Sequence, residues 1–142
     1  MNIDQNEVTK FAEQADKWWD KEGDFKPLHK INPLRASYIN DIVNLENKNF
    51  LDVGCGGGIL TEAIFDKGAF VTGIDAAGPG IETARIHAKK NSKNINYIVG
   101  TAEEFYEKND DRFDVVSCLE VLEHVPDPKS LIDVCTKLLK PG

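Results

Sequence analysis

Phe50-Leu51-Asp52-Val53-Gly54-Cys55-Gly56-Gly57-Gly58-Ile59 is the stretch on which the fold turns. An apolar run meets four glycines, and an apolar helical pattern begins at once. Glycine is needed where backbone turns tightly or must lie bare against a ligand. A helix that opens directly after such a turn offers its free N–H groups to that ligand. The stretch therefore reads as strand, ligand loop and helix.

The same alternation continues outward. Val-, Ile- and Phe-rich runs predict strands over 50–53, 70–74, 95–99 and 113–118. Between them lie helical patterns. Ile59, Leu60, Ala63 and Ile64 form one stripe, closed by Gly68. Ile81, Ala84 and Ala88 form another, with Pro79 near its start. Leu131, Cys135 and Leu138 form a third, with Asp127 as N-cap and Pro128 at the first position. Strand–helix alternation of this kind predicts right-handed βαβ units and an α/β fold on a parallel sheet.

Residues 1–49 read as an N-terminal helical extension, and 50–142 as a ligand-binding domain holding only the first four strands. Within the extension Val8, Phe11, Ala12, Ala15, Trp18 and Trp19 sit at helical spacing. A polar turn follows, and a second helix is expected from Leu34 to about Leu45. The sequence stops at Lys140-Pro141-Gly142, a helix-ending signal that ordinarily leads into another strand. A fourth strand left open on one side is an aggregation-prone edge, so the chain is expected to belong to a longer protein.

Composition narrows the function classes. The 142 residues are 41% hydrophobic and 29% charged, which excludes a disordered chain. A net charge of −7 disfavours nonspecific nucleic-acid binding. Cys55, Cys118 and Cys135 form no CxxC pair, which argues against a zinc cage or disulfide framework. Reduced thiols and an N-terminus without a signal-peptide pattern predict a cytoplasmic location. No apolar run approaches the length of a bilayer span.

Two ligand classes use a glycine loop of this type. The dinucleotide pattern GxGxxG fits Gly54 and Gly56 but would place its last glycine at Ile59. The pattern Asp52, Gly54, Gly56, Gly58 instead resembles motif I of the class I S-adenosylmethionine-dependent methyltransferases. That resemblance implies a Rossmann-like fold. Asp75, 21 residues after Gly54, ends the next strand where a carboxylate can accept ribose hydroxyls; NAD and S-adenosylmethionine use that position alike. The loop Gly100-Thr101-Ala102-Glu103 is, by the same resemblance, the one facing the adenine ring. It also reads as a capping box, with Thr101 as N-cap and Glu104 three positions on.

Longer pieces sharpen the resemblance. Lys17-Trp18-Trp19-Asp20, Phe25-Lys26-Pro27-Leu28-His29 with Asn32-Pro33-Leu34-Arg35, and Glu120-Val121-Leu122-Glu123-His124-Val125-Pro126-Asp127-Pro128 together are similar to the ubiquinone-biosynthesis O-methyltransferases of the UbiG type. The resemblance implies methylation of 2-polyprenyl-6-hydroxyphenol and 3-demethylubiquinol. It implies an apolar prenylated substrate, peripheral contact with the inner face of the membrane, and other ubiquinone-biosynthesis enzymes as partners. It places Arg35, Gly54, Asp75 and Leu119 at S-adenosylmethionine, together with Asp52, Cys55, Gly56 and Ala102 of the two loops. It places Glu120, Glu123 and His124 where some members are thought to hold a divalent cation.

Methyl transfer to a phenol asks the protein for alignment and for help in removing a proton whose ordinary pKa is near ~10. Two routes stand open. Mg²⁺ on Glu120 and Glu123 acidifies the hydroxyl, with His124 on the same helix face at i, i+4. Alternatively His124 or His29 acts as the base. A solvated acidic turn is the third reading of 120–124. Arg35 suits the cofactor's carboxylate. Trp18 and Trp19 read as an apolar lid or as core, Cys55 as a small loop residue, and Lys89, Lys90 and Lys93 as a solvated helix end. A methyltransferase with a small soluble acceptor and a noncatalytic cofactor-binding fragment are the competing functions, with a dehydrogenase weakest.

Overall fold

The computed structural model describes residues 2–13 and 15–141. Gly142 and the side chain of Phe11, which the sequence placed on an apolar stripe, lie outside the described residues.

The apolar runs become β1 (Asn49–Val53), β2 (Phe70–Asp75), β3 (Asn96–Val99) and β4 (Val115–Ser117). All pair in parallel, in the order β3-β2-β1-β4. The register sets Asp52 beside Gly73 and Ser117, and Asp75 beside Val99. The chain steps outward from β1 to β3 and then returns to the other side of β1. That reversal leaves a crevice at the carboxyl ends of β1 and β4, the place where open α/β sheets bind ligands.

Helices cover both faces. After the extension's α1 (Gln5–Ala12) and α2 (Lys26–Ile42) come α3 (Ile59–Asp66), α4 (Gly78–Lys90), α5 (Ala102–Lys108) and α6 (Pro128–Leu138). Alternating residues of β1 feed opposite cores. Leu51 and Val53 pack with Ile74, Phe105, Phe113, Leu131 and Leu138 on the α5–α6 side. Phe50 packs with Ala36, Leu45, Ile64 and Val71 on the α2–α3 side. Ile81, Ala84 and Ala88 of α4 close over Tyr97 of β3.

The expected punctuation is present. Gly68 has φ 95° after α3. The Asp127 carboxylate accepts from Ser130 N at 3.1 Å. Thr101 and Glu104 form a capping box, with hydrogen bonds of 3.1 and 3.2 Å.

The extension differs from its sequence reading. The first helix ends at Ala12, and a 3-10 turn spans Ala15–Lys17, so Trp18 and Trp19 stand in a turn and not on a helical stripe. The second helix starts eight residues earlier than Leu34 and carries Pro33 inside it. Pro27 preorganises its first turn, and Pro33 is exposed while Ala36, one turn on, is buried. β4 is the edge strand, and just before it the chain meets a single isolated bridge. Phe113 N donates to Leu138 O at 2.9 Å and Lys140 N to Phe113 O at 2.9 Å, bringing the chain after α6 beside Phe113 in parallel. Among the described residues no helix is long and apolar enough to cross a membrane.

Candidate functional site

At the carboxyl edge of the sheet lies a cavity of about 490 Å³, within the range of small-molecule sites. Gly54, Cys55 and Gly56 form one wall, Asp75–Ala77 and Gly100–Glu103 the adjoining walls, and Leu119–Val121 the side below β4. Trp18, Phe25, Leu28, Asn32 and Arg35 come in from the extension, and Asn2–Asp4, Glu7 and Val8 roof it.

The glycine loop is bare because nothing larger fits. Gly54, Gly56 and Gly58 have φ of 74°, 54° and 89°, the left-handed region. A Cβ on Gly56 or Gly57 would run into the Trp18 ring, and one on Gly54 into Val121. Gly54 N and Cys55 N donate to Ile74 O at 2.8 and 3.1 Å, so β2 holds the loop's first turn. Asn32 Nδ2 donates to Ile59 O at 3.1 Å and anchors α2 to the start of α3. The Trp19 indole N–H donates to Gly57 O at 2.8 Å.

Two carboxylates sit beneath this loop with different duties. Asp75 Oδ2 accepts from Gly56 N and Oδ1 from Ala77 N, both at 2.8 Å. Each oxygen keeps a further lone pair at the cavity wall. Burial pushes the Asp75 carboxyl above its ordinary value, against the pull of those two N–H groups. Asp52 is only 3% exposed. Its oxygens accept from Thr61 Oγ1 at 2.8 Å and Ser117 Oγ at 2.9 Å, tying β1 to α3 and β4. Burial pushes it up to about 6, the two hydroxyls opposing and the Asp75 charge adding to the rise. Sequence reading placed Asp52 among the ligand contacts; the structure sets it in the cavity lining with one bond from each oxygen going to the framework. The Cys55 thiol is buried and likewise pushed up by burial, in keeping with a small filler and not a nucleophile.

Every residue singled out from sequence for the cofactor (Arg35, Asp52, Gly54, Cys55, Gly56, Asp75, Ala102 and Leu119) lines this one cavity, as do Glu120, Glu123 and His124. The proposed ligand set at 120–124 is corrected. The segment is not an α-helix: Glu120 has φ 58°, and a 3-10 turn spans Leu122–His124. The Glu120 carboxylate turns to Arg35, at 3.2 Å from Nη2 and 3.4 Å from Nη1. His124 Nδ1 lies 3.0 Å from Glu7 Oε2, and its Nε2 3.5 Å from Glu123 Oε1. Among the described residues no three His, Cys, Asp or Glu side chains gather to hold an ion. Glu120 is committed to Arg35 while Glu123 and His124 face each other, so the three do not converge as a resident Mg²⁺ would need.

His29, the alternative base, donates from Nε2 to Trp18 O at 2.8 Å and stands outside the cavity lining. Lys93 is also corrected. It is no solvated helix end but reaches Glu62 at 3.3 Å and Asp66 at 3.0 Å. Sequence reasoning missed Glu7, Asn32 and Val121, which reach the cavity through tertiary packing and carry no local signal.

The methyltransferase domain model matches residues 51–142. The chain belongs to the methyltransferase domain family. It is 52% identical over 142 residues to a ubiquinone biosynthesis O-methyltransferase of Saccharophagus degradans, covering 100% of this chain and 60% of that protein. It is 51% identical over 141 residues to a protein of the same name from Pseudomonas fluorescens, covering 99% of this chain and 61% of that one. The chain thus spans about three fifths of the length of these curated relatives. Among solved structures, magnesium protoporphyrin IX methyltransferase from Synechocystis PCC 6803 with bound SAM superposes with a TM-score of 0.69. It is 21% identical, with 79% of this chain and 54% of that chain covered. The fold is the Rossmann-like fold of class I S-adenosylmethionine-dependent methyltransferases, here with four parallel strands.

Proposed function

We propose that this chain is the cofactor-binding part of an S-adenosylmethionine-dependent O-methyltransferase acting on a polyprenylated phenol or catechol of ubiquinone biosynthesis. The observation that carries the reading is the cavity at the strand ends, where the main chain of Gly54 to Gly56 and the Asp75 carboxylate line the same hollow. The relatives' printed name supplies the reaction class and pathway.

The residues fit the cofactor. Asp75 has acceptor capacity left for ribose hydroxyls, and no phosphate stands to be repelled by it. Arg35 has five N–H donors; Glu120 engages two nitrogens, which leaves donors for a carboxylate. The 100–103 loop supplies main chain at the cavity wall for a base edge. S-adenosylmethionine, when bound, supplies an activated methyl group on a sulfonium. The rest of the work is placing the acceptor oxygen in line and taking its proton.

His124 is the residue for that proton. It lines the cavity, its ring standing between Glu7, 3.0 Å from Nδ1, and Glu123, 3.5 Å from Nε2, and a neutral imidazole there can take a proton. The apolar side chains of Ile3, Val8, Leu28 and Val125 at the cavity suit a hydrophobic acceptor. Contact with a membrane surface follows from the acceptor's chemistry.

Calorimetric titration with S-adenosylhomocysteine and with NADH tests the cavity. Binding of the first and indifference to the second are expected; the reverse overturns the assignment. Methyl transfer to a short-chain polyprenyl catechol, compared with a water-soluble catechol lacking the prenyl group, tests the acceptor. Equal turnover of both refutes the prenylated substrate.

A further inference from the structure

Behind the glycine loop, on the side away from the cavity floor, the structure contains a second polar assembly. Glu62 of α3 is buried, 3% exposed. His87 of α4 donates from Nδ1 to its Oε2 at 2.6 Å, and Lys93 stands 3.3 Å from its Oε1. Lys93 also reaches Asp66 at 3.0 Å. The His87 ring lies flat against Trp19, with centroids 3.5 Å apart and planes 3° from parallel. From that position the Trp19 indole N–H donates to Gly57 O at 2.8 Å. A ring carries only one such donor, and its direction follows from the plane in which the ring is held.

We propose that Trp19 is a positioning residue for the cofactor site: clamped against His87 by the Glu62–Lys93 cluster, its indole N–H sets the Gly57 carbonyl and with it the conformation of the glycine loop. The extension is then a working part of the binding site. Trp18 covers the loop's Gly56–Gly57 side and meets Phe25 at 4.1 Å, while Trp19 pins the Gly57 carbonyl, in the next peptide unit. Neighbouring residues in one turn thus hold successive peptide units of the loop. The consequence for affinity rests on the cofactor reading above; the consequence for the loop does not.

The test is Trp19→Phe, which keeps an aromatic face for His87 and removes the donor. Hydrogen exchange of the ligand-free chain is read at Gly56 N and Gly58 N, whose partners are Asp75 and Cys55 O. These amides are expected to exchange about tenfold faster in the variant, the order expected for one lost hydrogen bond, while amides of the β1–β2 ladder keep their rates. S-adenosylhomocysteine should bind about five- to tenfold more weakly, at a temperature where circular dichroism shows the variant fully folded. A merely structural role would lower melting temperature and leave both readings unchanged. His87→Phe, which keeps the flat partner but cuts the tie to Glu62, should give a smaller loss in the same direction; it carries the test if Trp19→Phe does not fold. Unchanged exchange and affinity in a folded variant overturn the proposal. Faster exchange alongside a wild-type chain indifferent to S-adenosylhomocysteine supports the positioning role and retires the cofactor reading instead.

Discussion

Replacing Asp52 with Asn removes a charge from the cavity floor and keeps the shape. The Asn carbonyl can accept from one of the two hydroxyls, Thr61 or Ser117, and its NH₂ can donate to the other. The Asp52 carboxyl is raised from 3.8 to about 6, chiefly by burial. The folded chain therefore holds its proton at pH values where the unfolded chain has released it. Stability from this group is full below 3.8 and is lost as pH rises through about 6. At 1.36 kcal/mol per unit, that window corresponds to about 3 kcal/mol. Asp52→Asn lacks this titration, and other carboxylates cancel when variant and wild type are subtracted. The difference in unfolding free energy should move by about 3 kcal/mol in the variant's favour between about pH 3.5 and pH 7. Urea denaturation followed by far-UV circular dichroism across that range measures it. A difference that stays flat within about 1 kcal/mol refutes the buried-charge account and the framework role built on it.

Three further outcomes are expected. Gly56→Ala should lower stability by at least about 1–2 kcal/mol, from its left-handed φ alone, and shift the tryptophan fluorescence because the new Cβ meets the Trp18 ring. An unchanged denaturation midpoint and emission would contradict that packing. Arg35→Ala should weaken S-adenosylhomocysteine binding about tenfold in calorimetry while changing stability by less than about 1 kcal/mol, since its pair with Glu120 is partly exposed. Glu120→Gln should spare binding. Lys93→Ala should cost about 1–3 kcal/mol in chemical denaturation by leaving buried Glu62 without its lysine, whereas Lys90→Ala at the exposed helix end should stay within about 0.5 kcal/mol. Equal losses would return Lys93 to the solvated helix end.

What could be read in advance was whatever neighbouring residues decide among themselves. The glycine loop, the capping box at Thr101, the cap at Asp127 and the left-handed Gly68 are set by residues a few positions apart, and each stands as its spacing implies. Asp75 was legible because a parallel sheet brings the ends of adjacent strands together. Pro33 misled because tertiary packing of Ala36 carries the helix through a residue that ordinarily starts one. The 120–124 segment misled for a related reason. The helical spacing of Glu120, Glu123 and His124 has meaning only on a helix, and the positive φ at Glu120 turns its carboxylate to Arg35, 85 residues away. Lys93 and Trp19 found partners that no local pattern announces.

Asn2 holds Asp127 through two hydrogen bonds, Nδ2 to O at 2.8 Å and Asp127 N to Oδ1 at 2.9 Å, across 125 residues of chain. A polypeptide made from its amino end has this segment in hand 125 residues before the place that fastens it. During synthesis the hollow stays open to solvent until the loop before α6 emerges. Occupancy by a small molecule and the fastening of the amino-terminal segment are then linked events, both waiting on that loop.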